Sequence, residues 1–238
     1  MSNKDELLVE GKSDQEFFRF LIKSDPDLEL ESIEISPPKL LGGSSDGVTG
    51  VLEMLPNLLK FKELHGKSLG IVLDADFQIN GTGFLHRRNE VLEILSGFGY
   101  VTPECDEGNQ WQGEIFQHSD GLSPVGLWIM PDHQSDGMFE TLLLDTIKGE
   151  NRQQLHDRLR EEMNVVATDE QFQEIRFKDA HRDKVLLNTW LSWQKQPAAC
   201  RSDSISIVEC ALREDWLDAD HQNVVSLARW LQSIFTPL

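Results

Sequence analysis

Short apolar runs alternate with helical spacings over the first third of the chain, the pattern of βαβ units on a parallel sheet. Leu7 to Val9 is an apolar run that stops at Glu10-Gly11. Ser13-Asp14-Gln15-Glu16 then has the form of a capping box, opening a helix with an apolar face of Phe17, Phe18, Leu21 and Ile22 that stops near Asp25-Pro26. A second strand is expected across Leu28–Ile35, followed by a Pro-Pro turn, a Gly-Ser loop at 42–47 and a helix over Val48–Phe61. Ser68 to Leu73 is almost wholly apolar, as expected of a central strand covered on both faces, and it runs into Asp74-Ala75-Asp76. Leu85–Gly97 has helical spacing, Gly99–Gly126 reads as irregular or as short edge strands, and Val125–Met130 is a further apolar strand ending at Pro131-Asp132.

From Gly137 onward the spacing is helical, over Met138–Ile147, Arg152–Met163, roughly Asp179–Gln194 and Val224–Phe235. The expected fold is α/β, a mostly parallel, Rossmann-like sheet flanked by helices. A soft boundary near residue 150 divides an α/β core, 1–150, from a helical extension, 151–238, packed on it. Trp190, Trp193 and Trp230 are expected to pack a core rather than form a binding box.

Composition changes this picture only by exclusion. A chain of 238 residues, 39% hydrophobic and 26% charged, is neither disordered nor fibrous. Its 22 Lys and Arg against 41 Asp and Glu give a formal net charge of −19, shared by both halves. Such a chain repels polyanions at long range, so contact with DNA or RNA requires local basic residues or a bound cation. Cys105, Cys200 and Cys210 have no CxxC spacing and no nucleophile motif, and read as reduced packing thiols. With no signal-like start and no long apolar run, the expectation is a cytoplasmic protein without a membrane partner.

The candidate chemistry lies in the strand ends. Glu10 follows LLV, Asp74 and Asp76 follow GIVL, and Asp132 follows LWIMP. Ligands of open α/β sheets collect outside the carboxyl ends of parallel strands, so these acids are expected to converge there. Converging carboxylates repel, and hard oxygen donors favour Mg²⁺ or Mn²⁺ over zinc. Residues two apart on a strand face the same way, which lets Asp74 and Asp76 address one ion. A lone D-x-D is also what an ordinary strand-to-loop turn contains, and LVEGKSD is also a plain strand, glycine turn and capped helix. Their combination is what carries weight.

LLVEGKSDQEFF followed by GIVLDADF resembles the Toprim domain shared by type IA topoisomerases, bacterial primases, small ribonucleases that mature ribosomal RNA, and the overcoming-lysogenization-defect (OLD) nucleases. IMPDHQSDGMFETLLL and HRDKVLLNTWLSWQ resemble, more closely, the uncharacterised bacterial Toprim-like proteins of the DUF3226 type, along nearly the whole chain. The resemblance implies proton transfer or metal binding by Glu10 and an Mg²⁺ site at Asp74 and Asp76. Lys12, in the Gly11-Lys12-Ser13-Asp14 turn, can face a phosphate or be merely solvated.

Asp132, Asp136 and Glu140 are candidates for a second metal, since two ions can clamp the attacking and leaving oxygens of a phosphodiester. Asp136 alternatively caps the following helix, and Glu140 alternatively answers a helix N-terminus. Lys184 is a candidate to stabilise phosphate charge, against the commoner reading of a solvated helix lysine. His133 and His181 lie near these segments, where they can serve as a base or a nucleic-acid contact, but the favoured reading is surface or capping histidines.

The single tyrosine, Tyr100, argues against a topoisomerase, and no zinc module or GxxxxGK[ST] loop supports a primase or an OLD ATPase. The expectation is an Mg²⁺-dependent nuclease or nickase, or a related phosphotransfer enzyme. Its substrate is expected to be nucleic acid or a phosphorylated nucleotide, with a protein partner or a second copy supplying basic surface. The alternatives are a non-catalytic metal- or nucleotide-binding regulatory or docking module, and a structural α/β protein.

Overall fold

Three of the apolar runs become neighbouring parallel strands. In chain order the strands are β1 (Glu6–Leu8), β2 (Glu34–Ser36), β3 (Leu69–Asp74), β4 (Tyr100–Val101), β5 (Glu114–His118) and β6 (Val125–Met130). They form one sheet in the order β2-β1-β3-β6-β5-β4, in which β2, β1, β3 and β6 are parallel and β5 and β4 return antiparallel. This computed structural model describes residues 4–24, 28, 30, 33–78, 81–101, 113–195 and 207–236, with the backbone alone at 62–65 and 207.

Two-residue alternation assigns side chains to the two faces. Leu8, Ile71, Leu73, Leu127 and Ile129 point to one face and pack with α2 (Gly47–His65) and α3 (Phe84–Gly97). Leu7, Val9, Val72, Trp128 and Met130 point to the other. There they meet α1 (Lys12–Ser24) and α4 (Phe139–Asp145), and beyond them α5 (Glu150–Thr168), α6 (Arg182–Trp193), α7 (Ile207–Arg213) and α8 (Gln222–Phe235). Residues on both sides of position 150 share this second core.

Two glycines let α8 lie close on the sheet. A Cβ at Gly126 would stand 2.0 Å from Ile234 Cδ1, and one at Gly70 would stand 2.7 Å from Leu7 Cδ1 and 3.1 Å from Phe235. Glycine on this face of β3 and β6 makes room for Trp230, Ile234 and Phe235, all buried.

Several expectations shift. β2 forms at Glu34–Ser36, at the end of the Leu28–Ile35 run; Leu28 and Leu30 are buried, and Ile33 N–H donates back to the Leu30 carbonyl at 3.3 Å before the strand begins. The polar segment after Gly99 supplies the edge strands β4 and β5, and α7 carries no strong sequence signal. Trp190 and Trp230 are buried, but Trp193 is 62% exposed, a correction to its reading as a core residue. It ends α6, where the helix has already passed the core.

Fully buried Cys210 is disulfide-bonded, which corrects its reading as a reduced thiol; Cys105 and Cys200 lie outside the described residues. No described helix is long and apolar enough to cross a membrane.

Candidate functional site

Parallel pairing carries two strand ends to the same level. β1 and β3 are in register at Leu8 and Ile71, so Glu10 arrives beside the end of β3. Glu10 Oε1 accepts a hydrogen bond of 2.6 Å from the backbone N–H of Asp74. The chain then turns at Gly11 into α1, which brings Asp14 back toward the same edge. Asp74 Oδ1 accepts from the backbone N–H of Phe139 at 2.8 Å, so it answers one of the orphan donors at the start of α4. The next residue, Glu140, is buried and pairs with Lys184 Nζ on α6 at 3.2 Å.

Electrostatics tie these groups into one cluster. Burial first, then the neighbouring charges of Asp14 and Asp76, push Glu10 up to about 8. Burial and Glu140 push Asp14 up to about 7. Asp74 is held well above the usual carboxylate range by burial and by the charges of Glu10, Asp14 and Glu140. Burial pulls Lys184 down, but Glu140, Asp74 and Asp14 outweigh it and hold the ammonium above its ordinary value. Five carboxylates, Glu10, Asp14, Asp74, Asp76 and Glu140, thus meet two cations, Lys184 and Arg87.

The remaining sequence candidates fall differently. Asp76 lies close enough to raise Glu10, but its Oδ2 accepts from Arg87 Nη2 at 2.7 Å. Asp132 is folded on its own turn, with Oδ1 accepting from the N–H of Ser135 at 2.8 Å and Oδ2 from Ser135 Oγ at 3.0 Å. Its charge acts on Asp145. Asp136 Oδ1 accepts from Phe84 N at 2.9 Å, so it caps α3 rather than the helix that follows it. Lys12 is 84% exposed and pairs with Glu16. His181 is exposed at the start of α6 and makes no side-chain cap.

His133 departs most from its expected surface place. It is buried with φ 61°, and its Nδ1 accepts from the backbone N–H of Ile129 at 3.0 Å. That contact leaves the ring proton on Nε2, which faces Glu114 Oε2 at 3.5 Å. Arg88 Nε and Nη2 bind the same carboxylate in a fork. Burial raises Glu114, but His133 and Arg88 outweigh it and hold the carboxyl below its ordinary value. This network fastens the loop after β6 to β5 and α3.

Sequence reasoning missed Asp14 and Arg87. Asp14 looked like part of a capping box, and its place three residues after Gly11, on the turn that returns to the strand end, is the signal that points to it. Arg87 carried no local signal, because only the fold brings α3 against Asp76.

The donors are all oxygens, which suits a hard divalent cation. Among the described residues no group of three His, Cys, Asp or Glu side chains forms a ready cage for an ion. Mg²⁺ uses one or two carboxylates and keeps several waters, so the oxygens that Glu10 and Asp74 leave outside their backbone hydrogen bonds are the ones that would hold it.

A family described as protein of unknown function (DUF3226) matches residues 4–236. No curated protein and no solved structure matches the chain.

Proposed function

The chain belongs to the DUF3226 family, and we propose that it is a Toprim-like, Mg²⁺- or Mn²⁺-dependent enzyme that cleaves phosphodiesters in nucleic acid or a phosphorylated nucleotide. One observation carries this reading: Glu10 and Asp74, at the ends of adjacent parallel strands, share a buried, acid-rich cluster with Asp14 and Glu140, in which burial first and neighbouring acids second raise the carboxyls. Buried like charges cost stability, and a site that accepts that cost is built for something positive.

Asp74 and Glu10 are the groups that would hold the ion, with Asp14 and Glu140 beside them. A bound divalent ion there would neutralise a phosphate and lower the pKa of its water. Burial, with the charges of Asp14 and Asp76, raises Glu10 to about 8 in the metal-free protein, and a carboxyl of that kind would give up its proton as the ion binds. Lys184 reaches the cluster from α6 with its side chain 57% exposed, so it can meet a phosphate oxygen while staying paired with Glu140. The Asp74 side chain is fixed by the Phe139 N–H, which orients its second oxygen.

The test is cleavage of single-stranded, duplex and structured DNA and RNA with Mg²⁺ or Mn²⁺, comparing wild type with Asp74→Asn. Metal-dependent cleavage confined to the wild type supports the enzyme. Nucleotide binding without turnover overturns it in favour of a metal- or nucleotide-sensing module.

A further inference from the structure

The second aspartate of the Asp74-Ala75-Asp76 pair does not continue the strand. β3 ends at Asp74, and Asp76 has a left-handed backbone, φ 60°, bound to Gly137 through its N–H at 2.8 Å and its C=O at 2.9 Å. The alternation that would point both aspartates to one ion is broken there. The Asp76 carboxylate instead meets Arg87, in the first turn of α3.

Arg87 is held for charge. Its side chain is only 12% exposed, Nη2 donates to Asp76 and Nη1 donates to Glu90 Oε2 at 2.9 Å. Its Nε–H is buried with no partner among the described residues. An unsatisfied buried donor is a cost, and it persists because the guanidinium offsets surrounding acid. The charge of Arg87 also reaches Glu10, so it acts on the cluster as a whole.

Resting on the cation-site reading above, we propose that Arg87 is a built-in counter-ion that competes with a divalent cation for Asp76. It steadies the metal-free cluster and weakens the cluster's hold on the cation. Two positive groups drawn to the same carboxylates repel each other, and an arginine cannot yield by losing its proton. A cation that gains Asp76 must displace the guanidinium, and one that binds Glu10 and Asp74 alone must tolerate it nearby.

Calorimetric titration of the full chain with MnCl₂ tests this, together with chemical unfolding in EDTA. Arg87→Gln is expected to unfold at lower denaturant in EDTA, yet to bind Mn²⁺ about fivefold more tightly than wild type. Binding by Arg87→Gln where wild type shows none also supports the proposal. If Asp74→Asn abolishes Mn²⁺ binding while Arg87→Gln binds like wild type or more weakly, the Arg87 proposal falls and the cation site stands. If Asp74→Asn binds like wild type, or if neither wild type nor Arg87→Gln binds, the cation-site reading itself falls and takes this proposal with it. Should Arg87→Gln not fold, Arg87→Met, which removes the charge and keeps apolar bulk, is read in its place: tighter Mn²⁺ binding than wild type supports the proposal, and affinity equal to or below wild type overturns it.

Discussion

Glu10 accepts a 2.6 Å hydrogen bond from the backbone N–H of Asp74, 64 residues further along the chain, and so joins the ends of two parallel strands at one carboxylate. The bond favours the ionised form, but burial and nearby acids outweigh it and push Glu10 up to about 8. An acid whose folded pKa exceeds its unfolded value binds more protons when folded, so stability falls as pH rises between the two. For Glu10 that window runs from 4.5 to about 8, and for Asp14 from 3.8 to about 7. Buried His156, lowered by burial and by Arg160, contributes the opposite slope near its unfolded value of 6.5. The informative quantity is therefore a difference between variants. Glu10→Gln is expected to gain stability relative to wild type between pH 5 and pH 8 in EDTA, as read by urea unfolding. Saturating Mn²⁺ is expected to stabilise wild type more as pH rises, because binding needs the ionised carboxylates.

The network of Arg88, Glu114 and His133 makes a different prediction, one about folding. Removing Glu114 takes away the carboxylate onto which Arg88 forks and which faces the buried imidazole N–H. Glu114→Ala is expected to cost about 2–4 kcal/mol in urea unfolding. Because Glu114 has a lowered pKa, the stability it provides is present above its unfolded value of 4.5 and fades as pH falls through the folded value. The penalty of Glu114→Ala is therefore expected to shrink in acid.

Asp136 separates capping from metal binding. Its Oδ1 accepts from Phe84 N at the start of α3, so Asp136→Ala is expected to cost about 1 kcal/mol, the usual loss for a helix cap. Mn²⁺ affinity is expected to stay at the wild-type level in this variant and in Asp132→Asn, whose carboxylate is taken up by Gln134 and Ser135. Titration calorimetry on the two variants checks both statements.

Close packing of α8 on the sheet is tested at Gly126. Its absent Cβ would lie 2.0 Å from Ile234 Cδ1, so Gly126→Ala is expected to destabilise by about 1–3 kcal/mol. Shortening the opposing side chain with Ile234→Ala in the same chain is expected to recover part of the loss. Thermal unfolding of the two single variants and the double variant measures that coupling.

Apolar runs and their strand-end acids made the central sheet legible in the sequence. β1, β3 and β6 are such runs, and Glu10 and Asp74 lie together because parallel strands end on one side. Asp132 follows the same logic and does not join them, since two intervening residues let it close a turn with Ser135. Asp76 escapes it through a left-handed backbone that no alternation rule reports. The antiparallel return of β5 and the place of Arg87 depend on tertiary packing, to which local pattern is blind. His133 looked like a surface residue because the carboxylate that its Nε2 faces, Glu114, comes from β5 rather than from nearby sequence.

The central claim is a cation held between Glu10 and Asp74, and the most direct measurement is an anomalous-scattering map from crystals grown with Mn²⁺. The account predicts a peak about 2.1 Å from a carboxylate oxygen of Asp74 and of Glu10, lost in Asp74→Asn. No peak at this cluster, or a peak at Asp132 with Glu10 and Asp74 bare, would contradict it.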